Sequence, residues 1–199
     1  MKDNVVAIGL RAKTGRAIAV VLGGSSDSPQ VVSKLEIKLV DPKVPATSQP
    51  YHEVMDLSWP ESERAVRKSA AAIEAVARKA LASLIKELQS QGLKVYGAGI
   101  VGAKDRDLAR IWNYHIRAHA AEGLLFRRVL DLATDANGLK RRTFPDRELD
   151  QIATGELGLQ SAVLKRKLND LGRMLEAPWR ADEKQAATAA WLVLRGRRK

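Results

Sequence analysis

The stretch Val5-Val6-Ala7-Ile8-Gly9-Leu10-Arg11, followed by Lys13-Thr14-Gly15 and then by Arg16 to Leu22, decides the fold. The first segment is short, apolar and β-branched, as a buried strand is. Lys13-Thr14-Gly15 is a tight turn, and Arg16 to Leu22 is a second strand. Gly23 to Pro29 makes the next turn. From Gln30 to Val40 the residues alternate: Val31, Ser33, Leu35, Ile37 and Leu39 fall on one side, Val32, Lys34, Glu36, Lys38 and Val40 on the other. A period of two predicts a half-buried strand. Three strands joined by short turns form an antiparallel meander.

Downstream the period changes. Residues 41–59 hold Pro42, Pro45 and Pro50 and form a long connection that is neither helix nor inner strand. A connection of that length is functional or packs on the core as an irregular flap. Ser58-Trp59-Pro60-Glu61 closes it with a capping box. Val66, Ile73, Val76, Ala80, Leu84 and Leu88 then mark one apolar stripe of a helix from about 60 to 91, ended by Gly92. Leu93 to Ala103 is apolar and glycine-rich, as a buried parallel strand is. A helix beginning between Asp105 and Asn113 and ending at Asn137-Gly138 comes next, then a strand from Leu139 to Phe144, stopped by Pro145. Helices over 146–153, 159–175 and 182–195 complete the chain. The last is rich in alanine (Ala186, Ala187, Ala189, Ala190), which predicts close packing on a sheet.

A chain of 199 residues with 45% apolar residues buries a sizeable core and fits one domain over residues 1–199. It has no cysteine, so disulfides and thiolate metal sites are excluded. Its apolar runs are too short to span a bilayer. Lys2, Asp3 and Arg11 bracket the first apolar run, so no secretory leader is expected, and a bacterial, cytoplasmic protein with no membrane partner is the expectation. The formal net charge of +11 favours polyanions. Part of it sits in a basic tail over 195–199 (Arg195, Arg197, Arg198 and Lys199), and the oligomeric state is left open.

The element order, three antiparallel strands and then helix, strand, helix, strand and helices, resembles the α/β ribonuclease H-like fold. That fold is a mixed five-stranded sheet flanked by helices. Three stretches are similar to the RuvC-type Holliday junction resolvases within it. Ala7-Ile8-Gly9-Leu10-Arg11 with Thr14-Gly15-Arg16-Ala17 resembles the family's G-I-D-x-G and T-G-x-A. Thr143-Phe144-Pro145 with Leu149 and Thr154-Gly155-Glu156-Leu157-Gly158 resembles its strand-Pro-helix-T-G-x-G stretch. Ala181 to Ala190 resembles its A-D-x-x-D-A-L-A-x-A. The resemblance implies two divalent metals held by clustered acids, which activate water against a phosphodiester. The matching positions depart from that pattern. Gly9 stands where the first acid is expected, Gly97-Ala98-Gly99-Ile100-Val101 carries none, and Gln185 stands at one of the last two positions, leaving Asp182 as the sole match. The resemblance therefore implies the fold while arguing against the nuclease chemistry. In the related actin-like ATPases the first strand also carries an Asp and a phosphate loop, of which Lys13-Thr14-Gly15 is a faint echo.

Other residues carry candidate chemistry. His115, His119 and Glu122 share one helical face and could present two imidazoles and a carboxylate to a metal; the plainer reading is polar residues on a solvated face. His52, beside Tyr51, could reach a cleft. Asp105 and Asp107 could replace missing ligands, or cap and open the next helix. Lys140, Arg141 and Arg142, with Lys165, Arg166, Lys167 and Arg173 and the tail, could track phosphates or be merely solvated. Trp112 and Tyr114 could stack on bases or anchor a core; Trp191 reads as core. The leading expectation is a nucleic-acid-binding protein, with DNA or RNA as partner and no cofactor. The alternatives are a Mg- or Mn-dependent nuclease or phosphohydrolase with relocated ligands, whose activity would fail in Asp182→Ala, and a structural or interaction domain.

Overall fold

A computed structural model describes residues 4–173, 175 and 178–197 of the chain. Five strands form one sheet: β1 Val5–Lys13, β2 Arg16–Gly24, β3 Pro29–Lys38, β4 Lys94–Gly102 and β5 Lys140–Pro145. Their order is β3-β2-β1-β4-β5. β1 and β2, and β2 and β3, pair antiparallel, while β1–β4 and β4–β5 are parallel. This is the mixed sheet of the ribonuclease H-like fold. Gly15, at φ 75°, supplies the left-handed position that closes the first hairpin. In the β1–β4 ladder Val6 faces Val95 and Ala7 faces Gly97, so Tyr96 is an extra residue and β4 bulges there.

Strand alternation sends side chains to two cores. Ile8, Leu10, Ala19, Val21, Ala98 and Ile100 meet α2 (Arg67–Ser90) and α3 (Tyr114–Ala136) on one face. Ala7, Val20, Leu22, Val101 and Phe144 meet α4 (Leu149–Leu157), α5 (Ser161–Leu171) and α6 (Ala181–Gly196) on the other. Burial of both faces is why β1, β2 and β4 read as apolar runs and the edge strand β3 as an alternation.

The helix expected over 60–91 is two. α1 spans Trp59–Ala65, and Val66, at ψ −6°, turns the chain into α2. Val66 is buried and anchors that corner. At the head of α1 the expected box is present: the Glu61 carboxylate accepts from the Ser58 backbone N–H at 3.1 Å. Hydrogen bonds from Ser58, its hydroxyl first, hold the Glu61 carboxyl below its ordinary value. The helix expected from 146 begins only at Leu149, because Asp146 N–H is bonded to the Gly102 carbonyl at 3.0 Å and Glu148 N–H to that of Pro145 at 3.1 Å. α5 is shorter than expected, between Gly158 at φ 66° and a turn at Gly172. Of the basic tail, Arg195 lies in α6 and pairs with Asp27 at 3.3 Å, while Arg198 and Lys199 lie outside the described residues.

Within α4, Gly155 is exposed, and a Cβ placed on it meets nothing within 4 Å. Gly155→Ala is therefore expected to stabilise the protein by about 0.5–1 kcal/mol through helix propensity, read as a raised urea midpoint at unchanged m-value.

Candidate functional site

β1 projects Ala7, Gly9, Arg11 and Lys13 toward α6, and in register beside Gly9 lies Gly99 of β4. The helix lies directly on these glycines. A Cβ at Gly9 would overlap the Ala186 carbonyl oxygen, and one at Gly99 would come within 2.7 Å of the Ala189 carbonyl oxygen. Position 9 thus has no room for a side chain. The expected close packing of the alanine-rich helix is present, and its contact is backbone on backbone.

Further along the same face, Arg11 and Lys13 meet Asp182 in the first turn of α6. Arg11 Nε stands 3.5 Å and Lys13 Nζ 3.3 Å from its carboxylate. Arg11 also reaches Asp146 at 3.5 Å, so one guanidinium lies between two carboxylates. Only 13% of the Arg11 side chain is exposed, and its Nε makes no hydrogen bond among the described residues. Asp182, singled out by its motif, is therefore ion-paired with two cations. The period of two in β1 carried the signal for Arg11 and Lys13, since both share the face of Gly9.

Around this end of the sheet the chain leaves β4 and β5, the crevice position where open α/β sheets bind ligands. The loops there form a shallow hollow lined by Lys104, Asp105, Arg106, Asp146, Arg147 and Glu148. Asp105 does not cap a helix. It accepts from Arg127 at 2.8 Å and Arg128 at 2.9 Å, and these bonds, that from Arg128 foremost, hold its carboxyl below the usual range. Asp107 caps only a one-turn 3-10 helix over Leu108–Arg110, and Asn113 caps α3, its side chain accepting from Ile116 N–H at 2.9 Å. Trp112 between them is 90% exposed and anchors no core, whereas Trp191 is buried as expected. Tyr114 holds the Arg117 guanidinium over its ring at 4.9 Å.

The expected basic surface is not brought together. Along β5, Arg141 turns to α3, where it pairs with Asp135 at 2.9 Å, and Arg142 turns the other way to Glu156 on α4 at 2.6 Å. The bond that Arg141 donates to Asp135 raises the Arg141 pKa further. Lys140 lies over the Tyr96 ring at 4.9 Å. Lys165 borders a hollow with Asp150, Lys184 and Gln185, while Lys167 borders another beside Trp191. Arg173 pairs with Asp170 at 3.3 Å. A cavity of about 530 Å³ opens between β3 and α5, at the opposite end of the sheet from Lys13.

The helical set His115, His119 and Glu122 is real as a shared face, but its roles differ from those expected. His52, from the long connection, joins His115 and His119, one ligand atom of each lying within 4.8 Å of the others. Glu122 stands behind them. Its Oε1 accepts from His52 Nδ1 at 2.8 Å and from His52 backbone N–H at 3.3 Å. Sequence reasoning separated His52 from the other two because no spacing rule links a loop to a helix 63 residues away.

No family model matches the sequence, and no curated protein matches it. Among solved structures, the chain is similar to Thermus thermophilus RuvC in complex with Holliday junction substrate. The TM-score is 0.52 at 11% identity, over 98% of this chain and 96% of that one. It is equally similar to a Thermus thermophilus RuvC structure, at TM-score 0.52 and 11% identity, over 97% of this chain and 96% of that one. At that identity the likeness is one of fold: a ribonuclease H-like sheet with helices, of the RuvC kind. Among the described residues, no helix is long and apolar enough to cross a membrane.

Proposed function

We propose that this protein binds nucleic acid through phosphate contacts at the sheet end bounded by Lys13, Lys104, Arg106 and Arg147, without two-metal cleavage. The observation that carries the reading is Arg11, whose guanidinium lies between Asp146 and Asp182 where a metal centre would need a cation. The residues at this edge do not fit two magnesium ions. Position 9 has no space for a ligand, and both nearby carboxylates are already ion-paired. Lys13 and Lys104 are paired with Asp182 and Glu148, whereas Arg106 and Arg147 make no ion pair among the described residues and suit phosphate oxygens instead. The net charge of +11 supports the reading, as does the likeness to a RuvC structure bound to a Holliday junction. Exposed Trp112 offers a ring for stacking on an unpaired base.

The test is fluorescence anisotropy with labelled single-stranded, duplex and four-way-junction DNA, and with RNA, over a salt series. Affinity is expected to fall about a hundredfold or more between 50 and 200 mM salt. Arg106→Ala with Arg147→Ala is expected to flatten the log–log slope by about 2. Lys86→Ala, on the exposed side of α2, should leave it unchanged. Salt-independent binding, or a slope that ignores the double variant, would sink the proposal. Cleavage of any of these substrates with Mg²⁺ or Mn²⁺, lost in Asp182→Ala, would overturn its second half.

A further inference from the structure

We propose that His52, His115 and His119 form a site for a first-row divalent transition metal, zinc by ligand type, with Glu122 orienting His52. The site shares no residue with the sheet end of Lys13, Lys104, Arg106 and Arg147 and does not depend on the nucleic-acid reading.

The chain has three histidines, and the fold gathers all of them. Their rings meet edge to face, with centroids 4.4 Å apart for His52–His119 and His115–His119, and 5.2 Å for His52–His115. His115 Nε2 and His119 Nε2 are 3.0 Å apart. Two nitrogens bound to one tetrahedral zinc at about 2.0–2.1 Å stand about 3.3 Å apart, close to that spacing. A hydrogen bond between these two rings would account for that pair without a metal, but it does not explain why the third imidazole meets both.

Glu122 supplies the second observation. Its side chain is 1% exposed, and its Oε2 has no hydrogen-bond partner among the described residues. A buried carboxylate needs a compensating cation. By accepting the Nδ1 proton of His52 it leaves the Nε2 lone pair of His52 available to a metal. A carboxylate behind a ligating imidazole fixes both tautomer and ring orientation in metal sites. Imidazole donors suit zinc, copper, nickel or cobalt, and not magnesium, which takes oxygen. His115 and His119 are exposed, so the metal's remaining position faces solvent and takes water. The bound ion would tie the long connection to α3.

The test uses the full chain stripped with a chelator and titrated with zinc against a chromophoric competitor, and separately with cobalt, whose visible absorption reports coordination. One equivalent is expected per chain, with a raised melting temperature. His52→Ala, His115→Ala and His119→Ala should each weaken zinc binding by about a hundredfold or more, and Glu122→Gln by about 10- to 100-fold. His115 and His119 are exposed, so their variants keep the fold even where Glu122→Gln does not. Zinc binding that survives His52→Ala unchanged would reveal a simple two-histidine helix and overturn the site. So would no binding at micromolar concentrations, or binding equal in the three single variants and the parent.

Discussion

Gly9→Ala is expected to cost about 3 kcal/mol or more, lowering the melting temperature by roughly 6–12 °C. One methyl group has this effect because its obstacle is backbone. The added carbon would overlap the carbonyl of Ala186 and come within 2.9 Å of the amide nitrogen of Ala190, neither of which can rotate away. α6 would have to lift off the sheet, and its buried face of Ala186, Ala187, Ala189 and Ala190 would lose contact with β1, β2 and β4 together. Gly99→Ala meets the Ala189 carbonyl at 2.7 Å and should cost less, about 1–3 kcal/mol. Gly9→Asp should be worse than Gly9→Ala and should confer no Mg²⁺-dependent cleavage. Calorimetry on the three variants tests the order; a Gly9→Ala protein as stable as its parent would show that the helix does not rest on the sheet as described.

Trp191→Ala is expected to cost about 3–5 kcal/mol. Trp191 is 2% exposed and is the largest of the fully enclosed side chains of α6. Its Nε1 donates to the Ser26 carbonyl at 2.7 Å, so it also closes the turn between β2 and β3. Trp191→Phe separates the two contributions. It keeps most of the apolar volume but strands the Ser26 carbonyl, for an expected cost of about 1–3 kcal/mol. Denaturant unfolding of both variants gives the comparison. If Trp191→Phe matches the parent, the hydrogen bond contributes nothing and packing alone accounts for the residue.

The fold was legible because its signals are local. The alternation of β3, the glycine-ended turns and the alanine face of α6 each declare themselves within a dozen residues, and their order fixes the sheet. Helix ends were less legible. Residues 146–148 were drawn out of α4 by a local turn on the Pro145 carbonyl and by a bond from Asp146 N–H to the distant Gly102 carbonyl, a tertiary choice that no local pattern records. The candidate sites divide the same way. Gly9 and Asp182 were named from their motifs, whereas Arg11 and Lys13 were not, although the period of β1 puts both on the face of Gly9. Arg141 and Arg142 look like one basic patch in sequence, but strand alternation sends them to opposite layers, where acids meet each. His52 could be placed only by the path of the 41–59 connection, which packs Tyr51 against Trp59 at 5.6 Å and so brings its histidine over α3.

The seating of α6 on Gly9 and Gly99 also limits what can happen to this protein by single mutations. An acid at position 9 is not one substitution away from a working ligand. It first demands a helix that stands farther from the sheet, hence larger residues along the 186–190 face. Each of those is itself unfavourable while the glycines are present. Arg11 would have to leave as well, or the new carboxylate would face a resident guanidinium. The contact works as a ratchet in sequence space. It keeps position 9 without a side chain for as long as α6 rests on the two glycines.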